Sequence, residues 1–314
     1  MTFLLQKSSS PRVLSIQSHV VHGYVGNKVA TFAIQSMGLD VDPVLSVHFS
    51  THTGYTGFAP HPSQIMQGSE LLQIKQGLET TGILDNVNYS HLLTGYIGSL
   101  SFLEAVLDTL TSLRQRNPNV IYVCDPVLGD HGKLYVPKEL VECYKEKMIP
   151  QATILTPNQF ECELLTGITI VTQEDAIKAC DHLHDRGVKT IVITSLEYPT
   201  NKEKKILSVF ASHMTQTNQS NEIERYELTM NKLEGRFTGT GDLSAALLLS
   251  WLYRTNWNIK SSLEKTMNTL KCVLDRTIAT GGDGIGGAPP EIKLIQSHGD
   301  IVNPPVILTA NKIL

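Results

Sequence analysis

Val120-Ile-Tyr-Val-Cys124 is an apolar run that stops at Asp125-Pro126. A short run of this kind, rich in β-branched and aromatic residues, predicts a buried strand. The proline then fixes the direction in which the chain leaves it. The same punctuation recurs along the chain. Val13–Ile16 runs into Gln17-Ser18-His19, His91–Thr94 into Gly95-Tyr96, Ile154-Leu155 into Thr156-Pro157-Asn158, and Ile191–Ile193 into Thr194-Ser195. Helical patterns lie between: Asn27–Met37 closed by Gly38, Ser63–Thr80, Phe102–Arg116, Phe160–Leu165 and Glu174–Arg186. In the third of these Leu103, Val106, Leu107 and Leu110 hold the i, i+3, i+4, i+7 spacing of a buried helix face. With Val41–Phe49 as a further strand, the alternation predicts an α/β fold of three layers, a central mostly parallel sheet with helices on both faces. Five strand exits at one carboxyl edge predict a shared site there, since open parallel sheets bind ligands at that edge.

Beyond residue 200 the pattern changes to a strand pair, Ile206–Ala211 and Ile223–Met230, around a polar loop, Ser212–Asn221. Two helices follow, Gly241–Tyr253 and Ser261–Thr280. No linker or repeat interrupts the 314 residues, so one domain is expected, with residues 1–11 a flexible start and 281–290 a Gly/Pro-rich surface loop. A net charge of −4 with no basic stripe argues against nucleic acid as a partner. The five cysteines are scattered and include no C-x-x-C pair, which fits packed thiols in a reducing compartment. No apolar run reaches the roughly 18 residues of a membrane span, and the first residues lack signal-peptide character. The expectation is a cytoplasmic protein, with the nucleus also open to it, and no membrane partner.

Gly239-Thr240-Gly241-Asp242 stands at the mouth of the apolar helix Leu243–Leu252. Helix N-termini leave N–H groups unsatisfied, and flanking glycines let the chain aim them at one anion. An acid there either steadies the helix start or takes a proton from whatever attacks that anion. Asp125 and Asp130 flank Pro126–Gly129, and Glu161 follows Thr156-Pro157-Asn158. Singly, Asp125 reads as a turn or cap and Asn158 as an Asx-turn. Together, acids at two neighbouring strand ends suit Mg²⁺, which takes few protein carboxylates along with waters and phosphates. The combination points to phosphoryl transfer, a reaction that needs positioning and charge neutralisation. There is no G-x-x-x-x-G-K-[ST]. Gly282, Gly284 and Gly287 match G-x-G-x-x-G formally, yet they follow a helix and run into Pro289-Pro290, so they read as loop. His182 and His184 read as a solvated helix face.

These segments resemble pyridoxal kinases of the ribokinase-like superfamily. The likeness rests on Val13–His19, Gly23-Tyr-Val-Gly-Asn27, Phe49-Ser-Thr-His-Thr-Gly-Tyr55, Leu93–Tyr96, Tyr122–Asp130, Thr156–Glu161, Val192–Ser195 and Gly239–Leu243, which span most of the chain. It implies a ribokinase-like three-layer fold and ATP-dependent phosphorylation of the 5′-hydroxymethyl group of pyridoxal, pyridoxine or pyridoxamine. By resemblance Asp242 is the base, and Gly239, Thr240 and Gly241 form the anion hole. Ser18 and Thr53 meet the polar edge of the ring, and Val25, Val47, Phe49 and Tyr96 wall it. Asp130, Asn158 and Glu161 serve MgATP, while Thr194, Ser195, Leu233, Glu234, Gly235 and Thr240 line the nucleotide. Metal ligation falls to Asp125, Asp130, Thr156, Glu161 and Thr194, with a monovalent cation near Asp125, Thr156 and Thr194. A homodimer is also implied. Three departures mark this chain: His131–Tyr135 is shorter than the lid of the animal enzymes, Thr56–Pro62 lacks the Trp they carry, and Glu197–Glu224 has no recognisable match. The rival readings are a hydroxymethylpyrimidine-type kinase of the same superfamily and a non-catalytic B6-binding protein.

Overall fold

The computed structural model describes residues 11–202, 205–216, 221–280 and 284–313. In chain order the elements are β1 (Arg12–Val20), α1 (Asn27–Ser36), β2 (Asp40–Phe49), α2 (Gly68–Thr80), α3 (Ile83–Asn86), β3 (Tyr89–Thr94), α4 (Leu100–Arg116) and β4 (Ile121–Cys124). A small hairpin, β5 (Gly129–Asp130) and β6 (Lys133–Leu134), precedes α5 (Lys138–Cys143), β7 (Ile154–Leu155), α6 (Gln159–Thr166), α7 (Gln173–Asp185) and β8 (Thr190–Leu196). The chain ends with α8 (Pro199–Lys202), β9 (Ile206–Gln216), β10 (Asn221–Asn231), α9 (Thr240–Arg254), α10 (Ile259–Thr280), α11 (His298–Val302) and β11 (Asn311–Ile313).

One nine-stranded sheet runs in the order β11-β10-β9-β8-β7-β4-β3-β1-β2. From β2 to β8 every pairing is parallel, and β9, β10 and β11 extend the sheet antiparallel. Along the parallel strands successive side chains enter opposite cores. Leu14, Ile16, Leu92, Tyr122, Cys124, Leu155 and Ile191 face the layer of α2 to α7. Val13, Leu93, Val123, Ile154 and Val192 face the layer of α1, α9 and α10. Burial on both faces is why these strands read as unbroken apolar runs. The three-layer α/β expectation therefore holds.

The register aligns the exits. Ile16 pairs with Thr94, Thr94 with Cys124, Cys124 with Leu155 and Leu155 with Ile191. Gly95, Asp125 and Thr156 then leave the sheet side by side at its carboxyl edge, next to Gln17 on β1. The chain goes from β1 to β2 on one side and then to β3 on the other, so β1 and β3 flank a switch point where a crevice opens.

Several boundaries differ from the sequence reading. Ser63–Thr80 is not one helix: Pro62–Gln64 forms a single 3₁₀ turn, Ile65 bridges to Val47, and α2 begins at Gly68. A capping box between Gln67 and Glu70 starts the helix there, and Gly68 packs on the Ser101 backbone where a Cβ would overlap. β1 continues past Gln17-Ser18-His19 to Val20 through a register shift, and β8 continues past Thr194-Ser195 to Leu196 in the same way. Ser18, Thr194 and Ser195 thus stand on irregular strand ends. The supposed loop Ser212–Asn221 is mostly strand, because β9 and β10 pair out to Gln216 and Asn221; residues 217–220 lie outside the described residues. His184 is buried, with Nδ1 on the Val188 carbonyl at 2.7 Å and Nε2 on Ser212 at 2.8 Å, since α7 lies against β9. In the expected 281–290 loop, 281–283 lie outside the described residues, as do 1–10 at the start. In the rest of that loop Ile285–Gly287 makes a 3₁₀ turn with Ile285 exposed, and Ala288 is buried. Among the described residues no helix is long and apolar enough to cross a membrane.

Candidate active site

At the switch point Val20, Val25, Val47 and Phe49 form a separate buried cluster, with Phe58, Ile65 and Tyr96 packed against it. Phe49 meets Phe58 edge to face at 5.3 Å between ring centres. Ser18 is buried beside this cluster, and the Ser46 hydroxyl donates to the Tyr96 carbonyl at 2.6 Å. The four expected walls, Val25, Val47, Phe49 and Tyr96, therefore meet in one place. Thr53 is exposed; its neighbour His52 is the buried member of that segment.

A buried polar knot holds the floor. Ser15 donates to Asn27 at 2.7 Å, Gln17 donates to Ser15 at 2.9 Å, and the Asn27 amide donates to the Gln17 and Val44 carbonyls at 3.1 and 2.8 Å. Each buried polar group finds a partner, so the knot fixes the start of α1 against β1 and β2.

The Gly23–Asn27 loop links this pocket to the start of α9. Gly239 caps α9 at φ 83°, and an added Cβ there would overlap the Tyr24 carbonyl oxygen. Gly26, at φ 54°, lies so close to Ser18 that a Cβ would overlap its carbonyl oxygen and hydroxyl. Only glycine combines that approach with positive φ. No side chain caps α9. Asp242 instead accepts the backbone N–H of Gly26, which favours its ionised form, while burial outweighs this and raises its pKa. Asp242 thus sits between the open amides of Gly239–Gly241 and the loop bearing Val25. Gly26 was not singled out from the sequence, although a glycine immediately before α1 was the available signal.

Three acids share this edge. Asp125 is buried and accepts the Thr156 hydroxyl at 2.9 Å. Burial raises its pKa, and the negative charges of Glu161 and Asp242 raise it further. Glu161 is pushed up to about 7 by burial, against the pull of N–H donors from Asn158, Leu128 and Gly129. Asn158 caps α6 and donates its amide to the Gly129 carbonyl at 2.8 Å, which fastens the β5–β6 hairpin. Asp130 is half-exposed on that hairpin and accepts the His131 N–H at 2.8 Å. Thr194 donates its backbone N–H to the Pro157 carbonyl at 2.9 Å. Among the described residues no three acidic, His or Cys side chains could hold a metal ion by themselves, and no basic side chain pairs with Asp125, Glu161 or Asp242. A hydrated Mg²⁺, held by one or two carboxylates with phosphate oxygens completing its shell, fits that donor set better than a metal caged by protein.

A cleft of about 410 Å³ lies beside the α9 start, lined by Glu234, Gly235, Arg236, Phe237, Thr277, Ile278, Gly287, Ala288, Pro289 and Pro290. Glu234 and Gly235 were expected there. Arg236, Phe237 and the 287–290 wall were not, since a Gly/Pro run carries no mark of which surface it packs on. Leu233 packs partly on the core, and Thr194 and Ser195 do not line the cleft. A second cavity, about 320 Å³ around Asp85, Tyr89 and Arg116, lies at the opposite edge of the sheet and holds none of this chemistry.

Known proteins agree with the geometry. The phosphomethylpyrimidine kinase family model matches residues 69–284. The chain is 46% identical to a pyridoxal kinase of Arabidopsis thaliana over 97% of this chain and 96% of that one. It is 44% identical to the pyridoxal kinase of Homo sapiens over 95% and 97% of the two chains. Among solved structures, the Leishmania donovani pyridoxal kinase in complex with ADP and pyridoxamine superposes with a TM-score of 0.85 at 32% identity, covering 97% of this chain and 100% of that one. A Plasmodium falciparum PdxK structure with AMP-PNP and PL gives 0.83 at 29% identity, covering 97% and 99%. Near-complete coverage at such identity leaves one family: the chain belongs to the pyridoxal kinases of the ribokinase-like superfamily.

Proposed function

We propose that this protein transfers the terminal phosphoryl group of ATP to the 5′-hydroxymethyl group of pyridoxal, pyridoxine or pyridoxamine. The observation that carries the reading is Asp242, held by Gly26 between the apolar cluster of Val25, Val47, Phe49 and Tyr96 and an uncapped helix start. The vitamer ring lies among Val25, Val47, Phe49 and Tyr96, with Ser18 at its polar edge and Thr53 at the rim. Asp242 takes the hydroxyl proton as the oxygen attacks phosphorus. Its raised pKa makes it the stronger base for that step. The N–H groups of Gly239, Thr240 and Gly241 meet the negative charge growing on the transferred phosphoryl, and ADP leaves toward the cleft.

Glu234, Gly235 and the facing 287–290 segment suit the base and sugar of the nucleotide, and Leu233, Thr194 and Ser195, outside the cleft lining, are left to its phosphate side. Asp125, Asp130 and Glu161 are the acids that would hold Mg²⁺, which when bound neutralises phosphate charge. Asp125, Thr156 and Thr194 suit a monovalent cation. Asn158 serves by holding Gly129 and Asp130 in place. We read the chain as one domain and the working form as a homodimer in the cytoplasm.

The match to the phosphomethylpyrimidine kinase family favours one second reading, a hydroxymethylpyrimidine-type kinase. One assay decides. Purified protein with MgATP is offered pyridoxal, pyridoxine, pyridoxamine and hydroxymethylpyrimidine, and ADP and each phosphorylated product are followed. Turnover of the B6 vitamers is expected. Phosphorylation of the pyrimidine alone would favour the second reading, and no product at all would leave a binding protein.

A further inference from the structure

Residues 287–291 touch two regions that are distant in sequence. On one side Gly287, Ala288, Pro289 and Pro290 wall the cleft opposite Glu234–Phe237. On the other they press on the loop that follows β2. A Cβ on Gly287 would come within 2.5 Å of the Thr56 hydroxyl, and one on Gly54 would lie 3.7 Å from Pro289 Cδ. Glu291 then joins this wall to the pocket. Its carboxylate accepts the Tyr24 N–H at 2.9 Å, the Tyr55 hydroxyl at 2.9 Å and His52 Nε2 at 3.1 Å.

The role of His52 is fixed by its other nitrogen. Gly54 donates its backbone N–H to Nδ1 at 3.1 Å, so Nδ1 is the acceptor and Nε2 carries the hydrogen toward Glu291. All three neighbours are donors, and an ionised carboxylate is the side chain that accepts from all three. Gly23 leaves room for it, since a Cβ there would stand 2.6 Å from Glu291 Oε1. Tyr24 precedes Val25, a wall of the pocket, and Gly26, which holds Asp242. Tyr55 and His52 belong to the loop over the same pocket.

We propose that Glu291 is a positioning residue that couples the two ligand sites, so that nucleotide seated against Gly287–Pro290 and vitamer held by the Tyr24–Val25 and His52–Tyr55 loops each strengthen the binding of the other. The inference rests on the placement of the two substrates proposed above. A ligand that orders the 287–290 wall also orders the carboxylate next to it, and a second ligand then meets loops already fixed in place. Linkage makes the effect reciprocal.

The test is calorimetric titration of pyridoxal, alone and with saturating AMP-PNP and Mg²⁺. Wild-type protein should bind pyridoxal at least about fivefold more tightly with the nucleotide analogue present, the lower end of ordinary coupling. Glu291→Gln keeps the shape but turns an NH₂ toward one donor. It should bring the ratio to within twofold of unity while leaving AMP-PNP binding in the absence of pyridoxal unchanged, a split that loss of general stability would not produce. Tyr55→Phe removes one of the three bonds and should give an intermediate ratio; it decides the matter should Glu291→Gln fail to fold. A wild-type ratio of one, or a ratio unchanged in both variants, overturns the coupling. Wild-type protein that turns over no vitamer and binds no pyridoxal overturns the functional reading itself.

Discussion

Two helices of this protein begin at the carboxyl edge with an acid in the third helical position, and they use it in opposite ways. In α6, Asn158 caps the helix by accepting the Glu161 N–H at 2.8 Å, and Glu161 returns the bond to the Asn158 N–H at 2.9 Å. Its other oxygen takes the N–H groups of Leu128 and Gly129 at 2.9 and 3.4 Å. In α9 the cap is Gly239, no side chain reaches back, and Asp242 takes the N–H of Gly26 from across the crevice. The closed box satisfies its own helix start and ties two segments together. The open start leaves amides for a ligand and turns its acid toward the pocket. Position within the helix does not separate these roles; the cap residue and its reach do.

The sharpest way to break the comparison is at the open start. Asp242→Asn keeps size and polarity and removes the proton acceptor. Turnover with pyridoxal should fall by about 10²–10⁴-fold, the contribution of a positioned general base, with pyridoxal affinity nearly unchanged. Rapid-quench kinetics alongside titration of pyridoxal measures both. Near-normal turnover would leave Asp242 no more than an acid that steadies a helix start.

Next comes the cap itself. Gly239→Ala meets the Tyr24 carbonyl and a φ of 83° together, so the backbone must shift and the amides with it. A displacement of about 1 Å at a reacting centre can lower the rate about 100-fold, and a loss of that order is expected. Gly167→Ala is the matched control. Gly167 closes α6 at φ 73° with no atom within 4 Å of an added Cβ. It should show only the strain of the left-handed conformation, about 1–2 kcal/mol in denaturant titration, with full activity. Equal activity in the two variants would show that the α9 start is ordinary structure.

The contrast between the two starts also marks how far the sequence could be read. The parallel sheet was legible because strands buried on both faces stay apolar to their last residue, and Asp125-Pro126 or Thr156-Pro157 then announces the exit. The glycines and acids at the carboxyl edge could be picked out because few other residue types suit an anion beside a metal, the chemistry proposed for them. Less visible was whatever depends on a distant partner. Glu291 meets Tyr24, His52 and Tyr55 across more than 230 residues, and nothing local in Pro-Pro-Glu foretells three donors. His184 looked solvated because its helix is polar, yet the β9 hydroxyl of Ser212 that satisfies it is set by sheet order. Ser18 and Thr194 stand on strand irregularities that period-two reasoning cannot see.

A smaller effect tests the closed box through pH. Burial raises the Glu161 carboxyl from its ordinary 4.5 to about 7. The folded protein therefore holds that proton more tightly than the unfolded chain. Its contribution to stability is full below about pH 4.5 and is lost as pH rises through about 7. Glu161→Gln cannot titrate, so urea titrations in metal-free buffer should show a flatter dependence of stability on pH across that window. An unchanged slope would mean that the three N–H donors hold the carboxylate ionised throughout.

The mildest perturbation is Asn158→Ala. It removes the α6 cap and the 2.8 Å tie to the Gly129 carbonyl, while the Glu161 bonds to Leu128 and Gly129 remain. Loss of a cap of this kind costs about 0.5–2 kcal/mol. Because the tie also steadies the hairpin bearing Asp130, KM for MgATP should rise several-fold while KM for pyridoxal stays put. Asn158→Asp restores the acceptor that caps α6 without restoring the amide donor to Gly129. It should recover most of the stability and little of the nucleotide effect. A variant that recovers both together would place the whole contribution of Asn158 in its helix cap and none in the hairpin.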